Sequence, residues 1–243
     1  NMAHQLRRAL PGLPQPLRLA RPTAQQGPRP DELDPLFMLL ARRRLIPLSW
    51  RKLADSYLVE ARDERLGARV AVRMACAGDE HPERRERLEL EATLLGGIVH
   101  PNVVRAIGVG QCGDDPYTVT EWLEGESLAE RIARGPVRPA EAAAAIAQLC
   151  DALHAVHAAG HAVCRVDASK LVRAGDGRWK LVDLTHAARL HGGTTVASDV
   201  HAAGTVLSEA LAGQATVSEA LQSIVRSAIA TDPADRFSSA RRM

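Results

Sequence analysis

The sequence has 243 residues, of which 46% are hydrophobic and 25% are charged, and its formal net charge is +2 at pH 7. This length and composition suit one large domain, or two small lobes, with a hydrophobic core. Eight arginines against three acidic residues lie in residues 1–44, so the rest of the chain is slightly acidic. That distribution argues against a nucleic-acid-binding face on the folded body.

The cysteines and the apolar runs bear on the location of the chain. The four cysteines are scattered, with neither a CxxC pair nor the spacing of a Cys/His metal site: Cys76, Cys112, Cys150 and Cys164. They predict reduced thiols, a cytoplasmic location and no metal site. No apolar run approaches the roughly 20 residues that a membrane-spanning helix requires. We therefore expect no membrane span in this segment.

Residues 1–33 are predicted to form a flexible tail, because they are rich in proline and arginine and poor in apolar side chains. Residues 34–48 are predicted as a helix and linker. Asp34 and Pro35 suit the start of this helix, and residues 36–40 give it an apolar face. Two interpretations remain open: a helix docked on the body, or a basic segment that binds a membrane surface or a partner.

The next part of the chain shows the pattern of a strand-rich unit with one helix. Runs at residues 57–61 and 69–74 read as strands joined by a polar connection. Residues 82–96 change to a helical period and end at a Gly-Gly pair. Two further strands are predicted at residues 107–111 and 117–125.

The second half of the chain is predicted to be mainly helical. A long helix with one apolar side covers residues 139–158, and further helices begin at Ser198 and near Val217. Between the first two of these helices, β-favouring runs at 171–172 and 180–182 flank a turn that contains two glycines. This pattern predicts a hairpin.

The order of these elements, together with four short motifs, resembles a bacterial Ser/Thr protein kinase over about residues 50–243. The motifs are V-A-V-R at 70–73, H-P-N-V-V at 100–104, Asp183-Leu184-Thr185 in the place of D-F-G, and D-P-A-D-R at 232–236. The resemblance implies an α+β fold of two lobes: a small, mostly β N-lobe with one helix, and a truncated helical C-lobe. The predicted ranges of these lobes are 49–120 and 121–243.

The resemblance assigns positions in the N-lobe. Arg73 stands in the place of the family lysine and Glu91 keeps that of the helix glutamate, so we expect an Arg73–Glu91 ion pair. The family's glycine-rich loop falls on residues 51–58, which contain no glycine. Lys52 in this loop could replace the lost lysine, although a solvated surface lysine is the simpler expectation.

The catalytic loop can be aligned in two registers. Reading C-R-V-D at 164–167 as a decayed H-R-D requires an inserted residue. The gap-free register instead puts Arg165 in the place of the catalytic base, Asp167 in that of the loop lysine and Lys170 in that of the metal-binding asparagine. We prefer this register because it keeps the family spacing to Asp183. In either register the base is absent, since neither a guanidinium nor a valine accepts a proton near pH 7.

Asp183 is the metal ligand that the resemblance leaves intact. Because Lys170 and Arg165 are expected nearby, we predict that cations rather than Mg²⁺ neutralise its carboxylate. If a nucleotide binds, its adenine would lie among Ala71, Thr120 and Val172. The altered site positions are thus Arg73, Glu91, Arg165, Asp167, Lys170 and Asp183, with no catalytic residue and no metal site among them.

Two intervals of the C-lobe are short for the family. Only 15 residues, 184–198, lie between Asp183 and Asp199, where the family fits an activation segment and a platform for a peptide substrate. Residues 213–217 leave no room for the usual substrate-docking helix.

These losses lead us to expect a pseudokinase, not an enzyme: a protein-binding regulatory or scaffold module in bacterial signalling. One alternative is a metal-independent nucleotide or anion sensor that uses Arg73, Arg165 and Lys170. Another, with less support, is an enzyme that transfers a different group on a kinase fold. We expect no cofactor beyond weak, metal-independent ATP binding, no nucleic-acid partner, and an upstream Ser/Thr kinase among the protein partners.

Overall fold

The computed structural model describes residues 31–53, 56–75, 82–190 and 194–243. The tail predicted at 1–33 falls outside these residues, apart from a short 3₁₀ turn at Asp31–Leu33. The fold is α+β and has two lobes, as predicted, with a sheet in the N-lobe and helices in the C-lobe. No helix in the described part of the chain is both long and apolar enough to cross a membrane.

Helix α1, Asp34–Arg42, is docked on the N-lobe sheet. Leu36 and Leu40, with Leu33 just before the helix, are fully buried in one cluster with apolar side chains of the sheet. Pro35 in the first turn costs no hydrogen bond, because first-turn N–H groups have no helical partner. Of the two interpretations of this segment, the structure supports the docked helix, since its apolar face is used inside the protein.

The N-lobe is a five-stranded antiparallel sheet with one crossing helix. The strands are β1 (Leu45–Lys52), β2 (Ser56–Asp63), β3 (Ala68–Ala75), β4 (Ala106–Cys112) and β5 (Asp115–Glu121). Their order is β1-β2-β3-β5-β4, and each pair of neighbours runs antiparallel. Helix α2, Pro82–Gly97, connects β3 to β4 and carries Glu91.

Strand β1 is not predicted from the sequence, and it begins inside the range predicted as helix and linker. Pro47 argues against a strand at the level of sequence, because proline cannot donate to the hydrogen-bond ladder of a sheet. The structure places Pro47 on an edge strand, and the register with β2 shifts between Pro47 and Ser49. An irregularity on an edge strand is a position at which proline is tolerated.

The described part of the C-lobe consists of helices and two pairs of short strands. Its elements are α3 (Leu128–Ala133), α4 (Pro139–Ala158), β6 (His161–Ala162), β7 (Leu171–Arg173), β8 (Trp179–Leu181), β9 (Ala188–Arg189), α5 (Thr194–Leu211) and α6 (Glu219–Ala228). Strand β6 pairs with β9, and β7 pairs with β8 to form the predicted hairpin. In its turn Gly177 has a φ of +86°, a value that favours glycine.

One apolar core joins the two lobes. Leu95 of α2, Val163 after β6 and Leu184 after β8 are buried in the same cluster, and Ala106 of β4 packs against it. The segments that carry Glu91, Lys170 and Asp183 border this core, and β3, which carries Arg73, packs in the separate N-lobe cluster. The site is therefore held between well-packed elements.

Candidate active site

The centre of the site is the carboxylate of Asp183, which lies between two cations. Arg73 Nη1 on β3 is 2.5 Å from Asp183 Oδ1, and Lys170 Nζ is 3.7 Å from Oδ2. Thr185 donates its Oγ1 hydroxyl to Oδ1 at 2.5 Å and its backbone N–H to the same oxygen at 3.2 Å. These contacts join the N-lobe sheet to the segment after β8.

Arg73 reaches the site as a buried side chain on a central strand. Besides Asp183 it contacts Ser56, to which its Nε donates at 2.9 Å. The Arg73–Glu91 contact expected from the sequence is present but long, at 3.8 Å between Nη1 and Oε1. The Arg73 guanidinium therefore contacts two carboxylates, and the closer of the two is that of Asp183.

Glu91 makes a second link between the lobes. Its Oε1 accepts the backbone N–H of Leu184 at 2.8 Å, whereas its buried Oε2 has no hydrogen-bond partner among the described residues. Burial raises the pKa of Glu91 to about 7; the Asp183 carboxylate also raises it, and Arg73 opposes both.

The pKa of Asp183 is shifted in the opposite direction to that of Glu91. Burial raises the pKa of Asp183, but Arg73, Lys170 and the Thr185 hydrogen bond together outweigh burial and bring it down to about 2. Asp183 therefore carries its negative charge throughout the neutral pH range. Its backbone φ of +63° is unusual for a residue with a side chain, although aspartate is among the residues that tolerate it.

The loop before β7 places its three predicted residues in different surroundings. Lys170 is buried at the end of a 3₁₀ turn, with a relative exposure of 7%. Asp167 begins that turn and accepts the N–H of Ser169 at 2.8 Å, which is a structural role. Arg165 is exposed, and its Nη1 lies 3.2 Å from His186 Nε2. The cation that joins Lys170 at Asp183 is thus Arg73, not Arg165 as the sequence analysis expects.

Asp199 is a buried residue that sequence reasoning does not single out for the site. Its two carboxylate oxygens accept the backbone N–H groups of Val163 at 2.8 Å and Cys164 at 2.9 Å, and Oδ2 lies 2.9 Å from His157 Nε2. Cys164 has a φ of +65°, and the bond to Asp199 helps to hold that conformation. An aspartate inside an apolar helix pattern is the sequence signal for such a residue.

The positions expected to line an adenine pocket lie on three different strands. Ala71 on β3 is the register partner of Thr120 on β5, and Val172 is on β7; all three are partly buried. Among the described residues, no contact joins Lys52 to Asp183. Its Nζ lies 5.5 Å from the ring centroid of Tyr57.

The two-lobed fold and this buried site between a sheet and a helical lobe define a protein kinase-like domain. A model of the protein kinase domain matches residues 55–208. The chain belongs to the protein kinase family.

Curated relatives carry related names. The chain is 37% identical over 120 residues to serine/threonine-protein kinase pkn2 of Myxococcus xanthus, which covers 49% of this chain and 14% of that protein. It is 31% identical over 148 residues to probable serine/threonine-protein kinase PknB of Corynebacterium glutamicum, covering 58% of this chain and 23% of that protein. It is 35% identical over 109 residues to serine/threonine-protein kinase PrkC of Bacillus subtilis, covering 43% of this chain and 16% of that protein. The chain thus spans less than a quarter of each of these relatives.

These comparisons correct one prediction. The expectation that the chain is not an enzyme is wrong, because the matching family and the named relatives are protein kinases. That expectation rests on substitutions at single positions and on two short intervals of the C-lobe, residues 184–198 and 213–217. Kinase catalysis depends largely on positioning and on charge stabilisation, and the site retains two buried cations, Arg73 and Lys170.

Protein kinases use Mg²⁺ ions that bridge the phosphates of ATP. The donors around Asp183 do not fit such an ion. In the described ranges no three His, Cys, Asp or Glu side chains are placed to hold a metal together. A single carboxylate that already contacts a guanidinium and an ammonium offers too few free oxygens for the hard, oxygen-rich coordination of Mg²⁺.

The pKa of Glu91 predicts how stability depends on pH. Because the folded state raises this pKa from 4.5 to about 7, it binds the Glu91 proton more tightly than the unfolded state does. The stabilisation from the protonated side chain is complete below about pH 4.5 and is lost as the pH rises to 7. Glu91→Gln should therefore gain stability relative to the unmodified protein between pH 5 and pH 8, by a total on the order of 3 kcal/mol.

Urea unfolding at several pH values measures this difference. Glu89→Gln is the matched control, since Glu89 is exposed on the same helix. A pH profile of Glu91→Gln that runs parallel to that of the unmodified protein would show that Glu91 does not titrate in this range.

Proposed function

We propose that this protein kinase-family domain acts as a regulatory, protein-binding module in bacterial Ser/Thr kinase signalling. The observation that carries the proposal is the pairing of Asp183 with Arg73 and Lys170. A carboxylate that is committed to internal ion pairs fixes the two lobes relative to each other. A fixed arrangement of lobes favours binding to a partner, because less conformational freedom is lost on association.

Other contacts support the same interpretation. The Glu91–Leu184 hydrogen bond and the shared apolar core also join the lobes. The bacterial relatives are named as Ser/Thr protein kinases, so their signalling is the natural setting. An upstream Ser/Thr kinase is a proposed partner, and the cytoplasm is the proposed location.

The test is capture of partners by the tagged full chain from a lysate of the native organism, with identification by mass spectrometry. We expect a Ser/Thr kinase or a substrate of one, captured by the unmodified chain and captured less by Asp183→Asn with its fold verified by circular dichroism. Loss of the Asp183 charge removes the ion pair that fixes the lobes, so more conformational freedom is lost on binding.

The opposite pattern would contradict the proposal. It consists of no Ser/Thr kinase and no substrate of one among the captured proteins, or of equal capture by the unmodified chain and by the folded Asp183→Asn variant. Glu209→Gln, on the exposed side of α5, is the control for the loss of one carboxylate.

A second candidate function is metal-independent binding of a nucleotide or another anion. The specific observation is Lys170, whose buried Nζ makes no hydrogen bond to the described residues and lies 3.7 Å from Asp183 Oδ2. An ammonium group has three donors, so it can donate to an additional anionic oxygen. Ala71, Thr120 and Val172 are the proposed contacts of the adenine ring.

Thermal unfolding with ATP in the presence of EDTA tests this second function. We expect a rise in Tm that persists in EDTA and disappears in Lys170→Met, because the ligand stabilises only the folded state. Lys52→Met is the control, since Lys52 is exposed. A rise that requires Mg²⁺, or that Lys170→Met retains, would exclude the function.

A further inference from the structure

A groove of about 340 Å³ lies between the first half of α4 and the β7–β8 hairpin. Its lining shares no residue with the site around Asp183. Arg138, immediately before α4, and Arg173, at the end of β7, belong to its two walls. The exposed alanines Ala140 and Ala144, one helical turn apart, contribute a surface of small side chains that a partner can approach closely.

The groove carries excess positive charge. Its acidic residue, Glu141, receives two hydrogen bonds from Arg131, with both distances 3.2 Å, so its charge is already compensated. Arg138 approaches Glu141 only to 3.9 Å, and its side chain is 85% exposed. Arg173 lies over the ring of Trp179, 5.9 Å from the centroid, and among the described residues its Nε makes only a long bond of 3.4 Å to the carbonyl of Gly177. Both guanidinium groups therefore retain free donors.

The walls of the groove are held in place by backbone contacts. The side-chain oxygen of Gln148 on α4 accepts the backbone N–H of Trp179 at 2.9 Å and a hydrogen bond from Asn102 at 2.9 Å. Arg173 donates its backbone N–H to Glu126, and a Cβ at Gly125 would stand 1.6 Å from the Arg173 carbonyl oxygen. This close approach fixes β7 against the segment after β5, so the groove is preformed and loses little entropy when it is filled.

We propose that this groove, defined by Arg138, Ala140, Ala144, Arg173 and Trp179, docks an acidic segment of a partner protein. The proposal deepens the protein-binding function proposed above and rests on it. Carboxylates would pair with the two arginines, whose planar groups suit bidentate contacts, while apolar side chains cover the alanines. A nucleic acid is disfavoured because residues 45–243 contain 23 basic against 26 acidic residues, which gives no extended basic surface.

The probe is a fluorescein-labelled peptide of alternating Glu and Leu, titrated with the full chain in a fluorescence polarisation assay. We expect saturable binding that weakens as salt is raised and that is absent for the same peptide with Gln in place of Glu. Arg138→Glu combined with Arg173→Glu should weaken the Kd at least about tenfold. Arg65→Glu combined with Arg105→Glu makes the same charge change at exposed sites outside the groove and should alter the Kd less than about twofold.

A second variant keeps the test independent of the hairpin's stability. Ala144→Glu changes an exposed residue on a long helix and should fold normally, yet it places a negative charge inside the groove. It should weaken binding as strongly as the double reversal. Equal loss in the Arg65/Arg105 control, or full binding by Ala144→Glu, would overturn the proposal. A dimer of the chain in light scattering that Arg138→Glu abolishes would also overturn it, since the groove would then bind a second copy.

Capture from the native lysate separates failure of the groove from failure of the proposed function. If a kinase-pathway partner is captured equally by the unmodified chain and by Ala144→Glu, the groove is wrong and the protein-binding function stands. If the peptide binds through the groove but no such partner is captured, the groove stands and the proposed function is wrong. Capture that Ala144→Glu abolishes, together with peptide binding, supports both.

Discussion

The ion pair between Arg73 and Asp183 is the interaction on which the rest of the site depends. Both side chains are largely buried, and an unpaired charge at either position would be costly. Their pairing connects the central strand of the N-lobe to the segment that follows β8. Glu91 is placed by the same contact, because it shares Arg73 with Asp183 and binds the N–H of the next residue, Leu184. The contacts among these three side chains thereby join the two lobes.

The Arg73–Asp183 pair lies in the cleft of a kinase-family domain. The chain is a protein kinase-family domain, and its fold keeps the two lobes and the buried core of that class. Within that frame the cleft carboxylate contacts two cations, an arrangement that does not fit Mg²⁺. Protein binding therefore draws its support from the rigid frame, and metal-free anion binding from Lys170. The groove beside α4 lies on separate elements and does not rely on the chemistry of the cleft.

The sequence predicts local patterns well and long-range contacts poorly. The α4 helix and the β7–β8 hairpin follow from periodicity and turn residues, and the Arg73–Glu91 contact follows from the resemblance. Strand β1 is missed because Pro47 interrupts its pattern. The partner of Lys170 at Asp183 is predicted as Arg165 but is Arg73. The exposed side chain of Arg165 contacts His186, whereas the buried Arg73 contacts Asp183 from the neighbouring lobe. Asp199 stands out in the sequence only as an aspartate in an apolar helix, and its backbone N–H partners at Val163 and Cys164 cannot be predicted from that pattern.

A double-mutant cycle tests the central claim most directly. Arg73→Met, Asp183→Asn and the double variant are unfolded in urea at neutral pH, and the coupling free energy is calculated from the three changes in stability. A buried pair that joins the lobes predicts a coupling above about 1 kcal/mol. The exposed Arg69–Glu124 pair, treated in the same way, should couple by less than about 1 kcal/mol. If the effects of the Arg73 and Asp183 changes add to within about 0.5 kcal/mol, the pair does not hold the lobes together and the account is contradicted.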